Sequence, residues 1–228
     1  VLESVLDFFF PKRCLGCGRA GTYICEVCEQ KIPFLEDQYC AVCQKPSVGG
    51  FTHHRCRGTH KPERILSLLS YRDLGRKLVT VLKYEKVTDL RHLIGREAVN
   101  FLNDSNISLG RETVVTFVPT HPLKFLERGF NQAELIAKEV SKAKSLKILP
   151  VLDKVLESPS QTALSRTERK QNIEGSFALN PEFQNEVYDH DILLVDDVFT
   201  TGATLLECSR VLKKSGARFI YLLTLAKD

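Results

Sequence analysis

Seven cysteines crowd between Cys14 and Cys56, and most of them are paired: Cys14/Cys17, Cys25/Cys28 and Cys40/Cys43, then Cys56 at the end of His53-His54-Arg55-Cys56. A Cys-x-x-Cys knuckle turns the backbone so that both thiolates face one tetrahedral ion at about 2.3 Å. Four such units supply enough ligands for two closed sites. The short gap between Cys17 and Cys25 groups the first two pairs on one ion, which leaves Cys40, Cys43, Cys56 and a histidine for the second. His53 repeats the two-residue spacing to Cys56; His54 and His60 are alternatives. Full coordination leaves no position for water, so the expectation is about two structural zinc ions per chain. The competing reading is one zinc site with spare cysteines. Cys208 stands apart in an amphipathic helical pattern and is expected to be a core thiol.

A second group can hold a phosphate. The run Val195-Asp196-Asp197-Val198-Phe199-Thr200-Thr201-Gly202-Ala203-Thr204 reads as a buried strand ending in two acids, a Thr/Gly turn and a helix start. Gly202 permits the tight turn, and the amides from about Phe199 to Thr204 can converge on one anion. The helix terminus adds a positive dipole end, and Thr200, Thr201 and Thr204 add hydroxyls. Asp196 and Asp197 are placed to accept from ribose hydroxyls or to anchor a hydrated magnesium. The run is neither a Walker loop nor a Rossmann Gly-x-Gly-x-x-Gly. The plainer reading is a solvated acid pair in a turn that caps a helix.

These groups need a scaffold, and the pattern supplies one after Lys61-Pro62. Residues 65–71 read as a strand, and 73–84 as a helix with Leu74, Leu78, Val81 and Leu82 inward. Residues 89–102 read as a second helix and 114–118 as a buried strand. A loop with Pro119 and Pro122 follows, then a helix over 131–144 with Ala133, Ile136, Ala137 and Val140 inward. A strand is expected over 149–156, a long flexible segment over 161–178, a strand over 192–195, a helix over 204–215 and a closing strand over 219–225. Strands alternating with helices predict an α/β fold with a mostly parallel sheet flanked by helices. The expected domains are 1–62, a helix and zinc module, and 63–228, the α/β part.

Composition excludes some classes. An apolar fraction of 43% and a charged fraction of 26% belong to a globular chain. No apolar run approaches the roughly 20 residues of a membrane span. Residues 1–10 carry Glu3 and Asp7 with no basic flank, so they read as a short amphipathic helix rather than a signal peptide. The expected location is therefore cytoplasmic, and metal rather than disulfides explains the cysteines. The net charge of +4 does not by itself select nucleic acid.

Residues 195–204 resemble the phosphoribosyl pyrophosphate (PRPP) motif of type I phosphoribosyltransferases. Two further segments carry a wider resemblance: Val118-Pro119-Thr120-His121-Pro122 running on to Glu127-Arg128-Gly129-Phe130-Asn131-Gln132, and Gln161-Thr162-Ala163-Leu164-Ser165 with Arg169 and Asn172. Together with the cysteine pairs, they make the chain similar to the ComF family of late-competence and GntX-type proteins. It departs from the pattern at His53, where many relatives carry a fourth cysteine pair.

The resemblance implies a type I phosphoribosyltransferase fold behind a zinc module. It implies PRPP with magnesium at Asp196, Asp197, Thr200, Thr201, Gly202, Ala203 and Thr204. Pro119, Thr120, His121 and Pro122 would form a pyrophosphate loop, with Arg128 supplying charge. Gln161, Arg166, Arg169, Lys170 and Asn172 would lie on a lid. Asp196, Asp197 and Arg128 would be the catalytic residues of any transfer, with magnesium and arginines stabilising departing pyrophosphate. For 128–132 the plainer reading is a loop in which Asn131 caps the next helix, for 161–172 a solvated linker, and for Lys83 and Tyr84 a surface helix end. The implied partners are PRPP, single-stranded DNA and possible DNA-processing proteins such as a competence helicase. The implied role is handling of incoming single-stranded DNA in natural transformation. The alternative is an active phosphoribosyltransferase with an unknown acceptor such as a nucleobase.

Overall fold

The computed structural model describes residues 12–84, 88–155 and 173–228. The helix expected over 1–10 and the lid residues Gln161, Arg166, Arg169, Lys170 and Asn172 lie outside the described residues, as do the side chains of Lys83 and Tyr84. The described strands are β1 (Arg64–Ser70), β2 (Val114–Phe117), β3 (Lys147–Ile148), β4 (Leu152–Lys154), β5 (Phe177–Leu179), β6 (Ile192–Phe199) and β7 (Ile220–Lys227). The helices are α1 (Glu26–Glu29), α2 (Asp73–Tyr84), α3 (Thr88–Asp104), α4 (Pro122–Arg128), α5 (Gln132–Lys144), α6 (Gln184–Val187) and α7 (Ala203–Lys214).

Five strands form one sheet in the order β1-β7-β6-β2-β3, and every pairing in it is parallel. Such a sheet is apolar on both faces, because crossover helices cover both. β6 shows this residue by residue. Leu193 and Val195 join the core with Leu78, Ile94 and Val140 from α2, α3 and α5, whereas Ile192 and Leu194 join Leu205, Cys208 and Leu212 from α7. Cys208 is fully buried there, and burial holds its thiol well above the ordinary range. A small β4–β5 antiparallel pair closes over the α7 side.

The outer edge of β1 is covered by the cysteine-rich segment. Leu35 N–H donates to Leu68 O and Ser70 N–H to Pro33 O, both at 2.9 Å. The buried Gln38 side chain clasps Ser67, donating to its carbonyl at 3.0 Å and accepting from its amide at 2.8 Å. Further along, Phe51 bridges Arg64. These contacts satisfy backbone groups that an open edge would expose.

Four local expectations are corrected. The strand over 192–195 runs on to Phe199, because β7 keeps pairing with it through Asp196↔Thr224 and Phe199↔Lys227. The strand expected over 149–156 shrinks to β4 on the small sheet; β3 on the main sheet ends just before it, and Pro150, which has no N–H to give a ladder, lies between the two. The loop after Pro119 contains α4, seven residues long, and the end of the segment over 161–178 holds β5.

Candidate functional site

The site is built by the unequal lengths of β2 and β6. Phe117 pairs with Val195, and Val118 N–H still donates to Val195 O at 2.9 Å. There Pro119 turns the chain away, while β6 continues through Asp196 and Asp197 with β7 as its partner on one side alone. A crevice therefore opens between the carboxyl ends of β2 and β6. It is also where connectivity reverses: β2 leads outward to β3, and β6 leads the other way to β7. Ligands of open α/β sheets bind at such a switch point.

The turn after β6 lines one wall. Gly202 is left-handed (φ 74°, ψ 0°), and a Cβ there would lie 2.5 Å from the Phe199 ring and 3.1 Å from Ala41 O. No side chain with a Cβ fits. Gly202 is the N-cap of α7 and supplies no capping side chain; Ala203 N–H makes only a 3.4 Å contact to Thr201 Oγ1. The first turn of α7 thus has no side-chain cap, and such amides can receive an anion. A cavity of about 30 Å³ is bounded by Asp196, Thr200, Thr201, Gly202, Ala203 and Thr204. Asp196 and Asp197 are half-buried; Asp196 Oδ1 accepts from Asp197 N–H at 2.8 Å and Asp197 Oδ1 from Val198 N–H at 2.6 Å. Each carboxylate is oriented by backbone.

The other wall follows β2. His121 caps α4, accepting from Leu123 N–H at 3.3 Å, with Pro122 in the first turn. Gly129 ends the helix in the left-handed region, so Arg128 sits in its last turn, half-buried, with Nη1 3.5 Å from Gln132 Oε1. Asn131 caps α5 by accepting from Ala133 N–H at 3.0 Å, and its amide donates to Val118 O at 2.9 Å. The Arg-Gly-Phe-Asn-Gln run thus joins two helices to the end of β2. Pro119, Thr120 and His121 leave the carboxyl end of β2, the strand next to β6.

The cysteines form two clusters: Cys14, Cys17, Cys25 and Cys28, and Cys40, Cys43, His53 and Cys56, with all ligand atoms of a cluster within 4.8 Å of one another. In the first, Cys14–Cys25 and Cys17–Cys25 sulfur separations are both 3.7 Å. A tetrahedron with 2.3 Å metal–sulfur bonds has an edge of about 3.8 Å, so the thiols stand where zinc ligands stand. In the second, His53 Nδ1 lies 3.2 Å from Cys43 Sγ while Nε2 faces Pro46 O at 3.1 Å. A carbonyl on one ring nitrogen leaves the other for metal. His53 therefore takes the place for which His54 and His60 were alternatives.

The protonation pattern agrees. Burial pushes Cys14 up, but the amides of Cys17, Cys25 and Gly16 outweigh it and bring the thiol to about 6. Burial and the neighbouring thiols push Cys28 up to about 12 and Cys56 up to about 11. Cys40 is lowered because backbone amides outweigh its burial. In each cluster the first cysteine is shifted toward thiolate and the last away from it, and metal binding needs the thiolate form of each.

One relation was invisible in the spacing. The second cluster's knuckle packs on the phosphate turn: Ala41 is buried against Phe199 and Leu205, and Gln44 Nε2 donates to Thr201 O at 2.6 Å.

A parallel α/β sheet with a glycine turn and helix start at its switch point, behind two four-ligand clusters that fit structural zinc, defines the class. A double zinc ribbon domain matches residues 5–57. Competence protein F of Haemophilus influenzae is 27% identical over 96% of this chain and 98% of its own. DNA utilization protein YhgH of Escherichia coli is 25% identical over 93% of each chain, and competence protein ComFC of Bacillus subtilis 23% identical over 85% and 79%. The chain is thus similar over most of its length to these competence and DNA utilization proteins. A solved structure described as the allosteric regulatory enzyme of purine biosynthesis aligns loosely, with a TM-score of 0.41 and 16% identity over 64% of this chain and 30% of that one. No described helix is long and apolar enough to cross a membrane.

Proposed function

We propose that this chain is a cytoplasmic competence-type protein that binds PRPP with magnesium between β2 and β6 and handles incoming single-stranded DNA in natural transformation. The observation that carries the ligand reading is the turn at Gly202, where a left-handed glycine, an uncapped helix start and the backbone-oriented Asp196 border one cavity, with the backbone-oriented Asp197 next along the strand. On this reading the 5-phosphate sits against the amides and hydroxyls of Thr200 to Thr204. Asp196 and Asp197 take the ribose hydroxyls and a hydrated magnesium. His121 and the Pro119–Thr120 turn face the diphosphate, with Arg128 supplying positive charge. The names of the relatives, competence and DNA utilization proteins, support the DNA role.

Turnover is a second reading, favoured by the retention of both acids at the strand end. Product formation from PRPP with a panel of bases tests it. For binding, calorimetry of PRPP with magnesium is expected to show a loss of about a hundredfold in Asp196→Asn/Asp197→Asn, since each charged hydrogen bond contributes roughly 1.5 kcal/mol or more. Equal affinity in wild type and variant would remove this site. Repeating the titration with single-stranded DNA present shows whether the two ligands compete.

A further inference from the structure

The second ribbon carries an unusual run. From Lys45 to Lys61 there is no acidic residue, against Lys45, Arg55, Arg57 and Lys61 and three histidines. Arg55, Arg57 and His60 are exposed and Lys61 is half-buried. Beside this run the fold leaves aromatic surface uncovered: Phe51 is 49% and Phe219 44% exposed. Both face the same groove of about 530 Å³, with Tyr221, Arg57 and Lys61. Cations approach both rings, Arg64 over Phe51 at 4.7 Å and Arg218 over Phe219 at 5.9 Å. Its acid Glu63 is held by Lys213 at 2.7 Å.

The groove does not end there. Gly58 and Lys61 also line a neighbouring groove of about 750 Å³ that follows α7 between Arg210 and Ala203. Seven helical residues cover about 10 Å. Glu207 on this wall is paired with Arg210 at 2.6 Å, and Glu174 also faces it. At its far end it shares Thr201, Ala203 and Ile173 with the phosphate cavity. One continuous track therefore joins the exposed phenylalanines, at the amino-terminal end of the sheet, to the phosphate turn at the carboxyl end.

We propose that this track is the path of a single-stranded nucleic acid, with bases stacked on Phe219 and Phe51 and the backbone following Arg57 and Lys61 toward the phosphate turn. The inference rests on the DNA-handling reading above and gives it a location. Stacking aromatics beside a basic groove are what a sequence-independent single-strand binder needs. A duplex does not fit the same chemistry, because its bases are not free to stack on the rings.

The test is fluorescence anisotropy with labelled oligothymidylate, oligouridylate and duplex DNA on the zinc-loaded full chain. Wild type is expected to prefer the single strands. Phe51→Ala/Phe219→Ala is expected to weaken them at least about tenfold, and Lys61→Ala to lower the salt slope by about 1. PRPP affinity and melting temperature of each variant report whether the fold and the crevice are intact. Unchanged oligonucleotide affinity in these variants, with wild type binding, overturns the track while leaving DNA handling in place; the groove would then be a surface for protein. No single-strand binding by wild type overturns both. A preference for oligouridylate over oligothymidylate keeps the track but changes its cargo to RNA.

Discussion

The two ribbons are built alike and attached differently. In each, the first cysteine's amide donates to the carbonyl five residues on, Cys14 to Arg19 at 2.8 Å and Cys40 to Lys45 at 2.9 Å. Its carbonyl accepts from the residue four on, Gly18 at 2.8 Å and Gln44 at 2.9 Å. The first ribbon rests on the helices of the α2–α3 side. Leu15, Tyr23 and Ile24 pack on that core, Lys77 Nζ donates to Leu15 O at 3.0 Å, and Arg96 pairs with Glu29 at 2.5 Å. The second ribbon rests on the phosphate turn through Ala41 and Gln44. One motif used twice thus braces helices in one place and, in the other, the turn proposed to hold phosphate.

Removing a ligand from each cluster is the strongest way to break this comparison. Cys17→Ser and Cys56→Ser should each lower bound zinc by one ion and the melting temperature by on the order of 10 °C. Only Cys56→Ser should also weaken PRPP, by about tenfold, the size of an ordinary coupling between sites. Metal analysis, melting and calorimetry on the same samples decide it. Equal PRPP losses in both variants would mean that the ribbons support the crevice alike.

The next effect lies on the loop side of the contact. Gly202→Ala puts a methyl group within 3.1 Å of Ala41 O and 2.5 Å of the Phe199 ring, at a left-handed φ. Strain and overpacking together should cost about 2–4 kcal/mol, or roughly 5–10 °C in melting temperature. PRPP affinity should fall with it, since the turn and the ribbon must part. A variant as stable and as tight as wild type would show that the loop does not depend on this contact.

How far the sequence reached follows from the range of the forces involved. Sheet strands and helices were readable where apolar period decides, as over 73–84 and 192–195. The clusters were readable because a knuckle fixes its ligands within four residues. The extension of β6 past its acids was not, because β7 keeps pairing with polar residues that no local pattern marks as strand. Helix α4 was overlooked although Pro122 and Gly129 mark a first turn and a C-cap. Leu123 and Leu126 are exposed on it, so no buried stripe announced a helix. Residues 119–122 and 196–204 are picked out separately; that they follow the carboxyl ends of neighbouring strands is a property of strand order. Nothing local marks Phe51 and Phe219 as exposed; tertiary packing alone leaves them open.

Gln44 offers the smallest and sharpest test. Its counterpart in the first ribbon is Gly18, and both are left-handed, at φ 58° and 77°. A glutamine there is strained by roughly 1 kcal/mol where glycine is not. Local preference is thus broken at a position whose side chain reaches the turn after β6, donating to Thr201 O. Residues that break a local rule tend to sit where function requires them. Gln44→Gly removes the strain and the contact together, so stability and affinity should move apart. Melting temperature should stay level or rise, because the relieved strain offsets a lost hydrogen bond of about 1 kcal/mol. PRPP should bind a few-fold more weakly, as a turn no longer held at Thr201 must be ordered by the ligand itself. If affinity holds while stability falls, Gln44 only fastens the ribbon, and the contrast between the two ribbons reduces to Ala41.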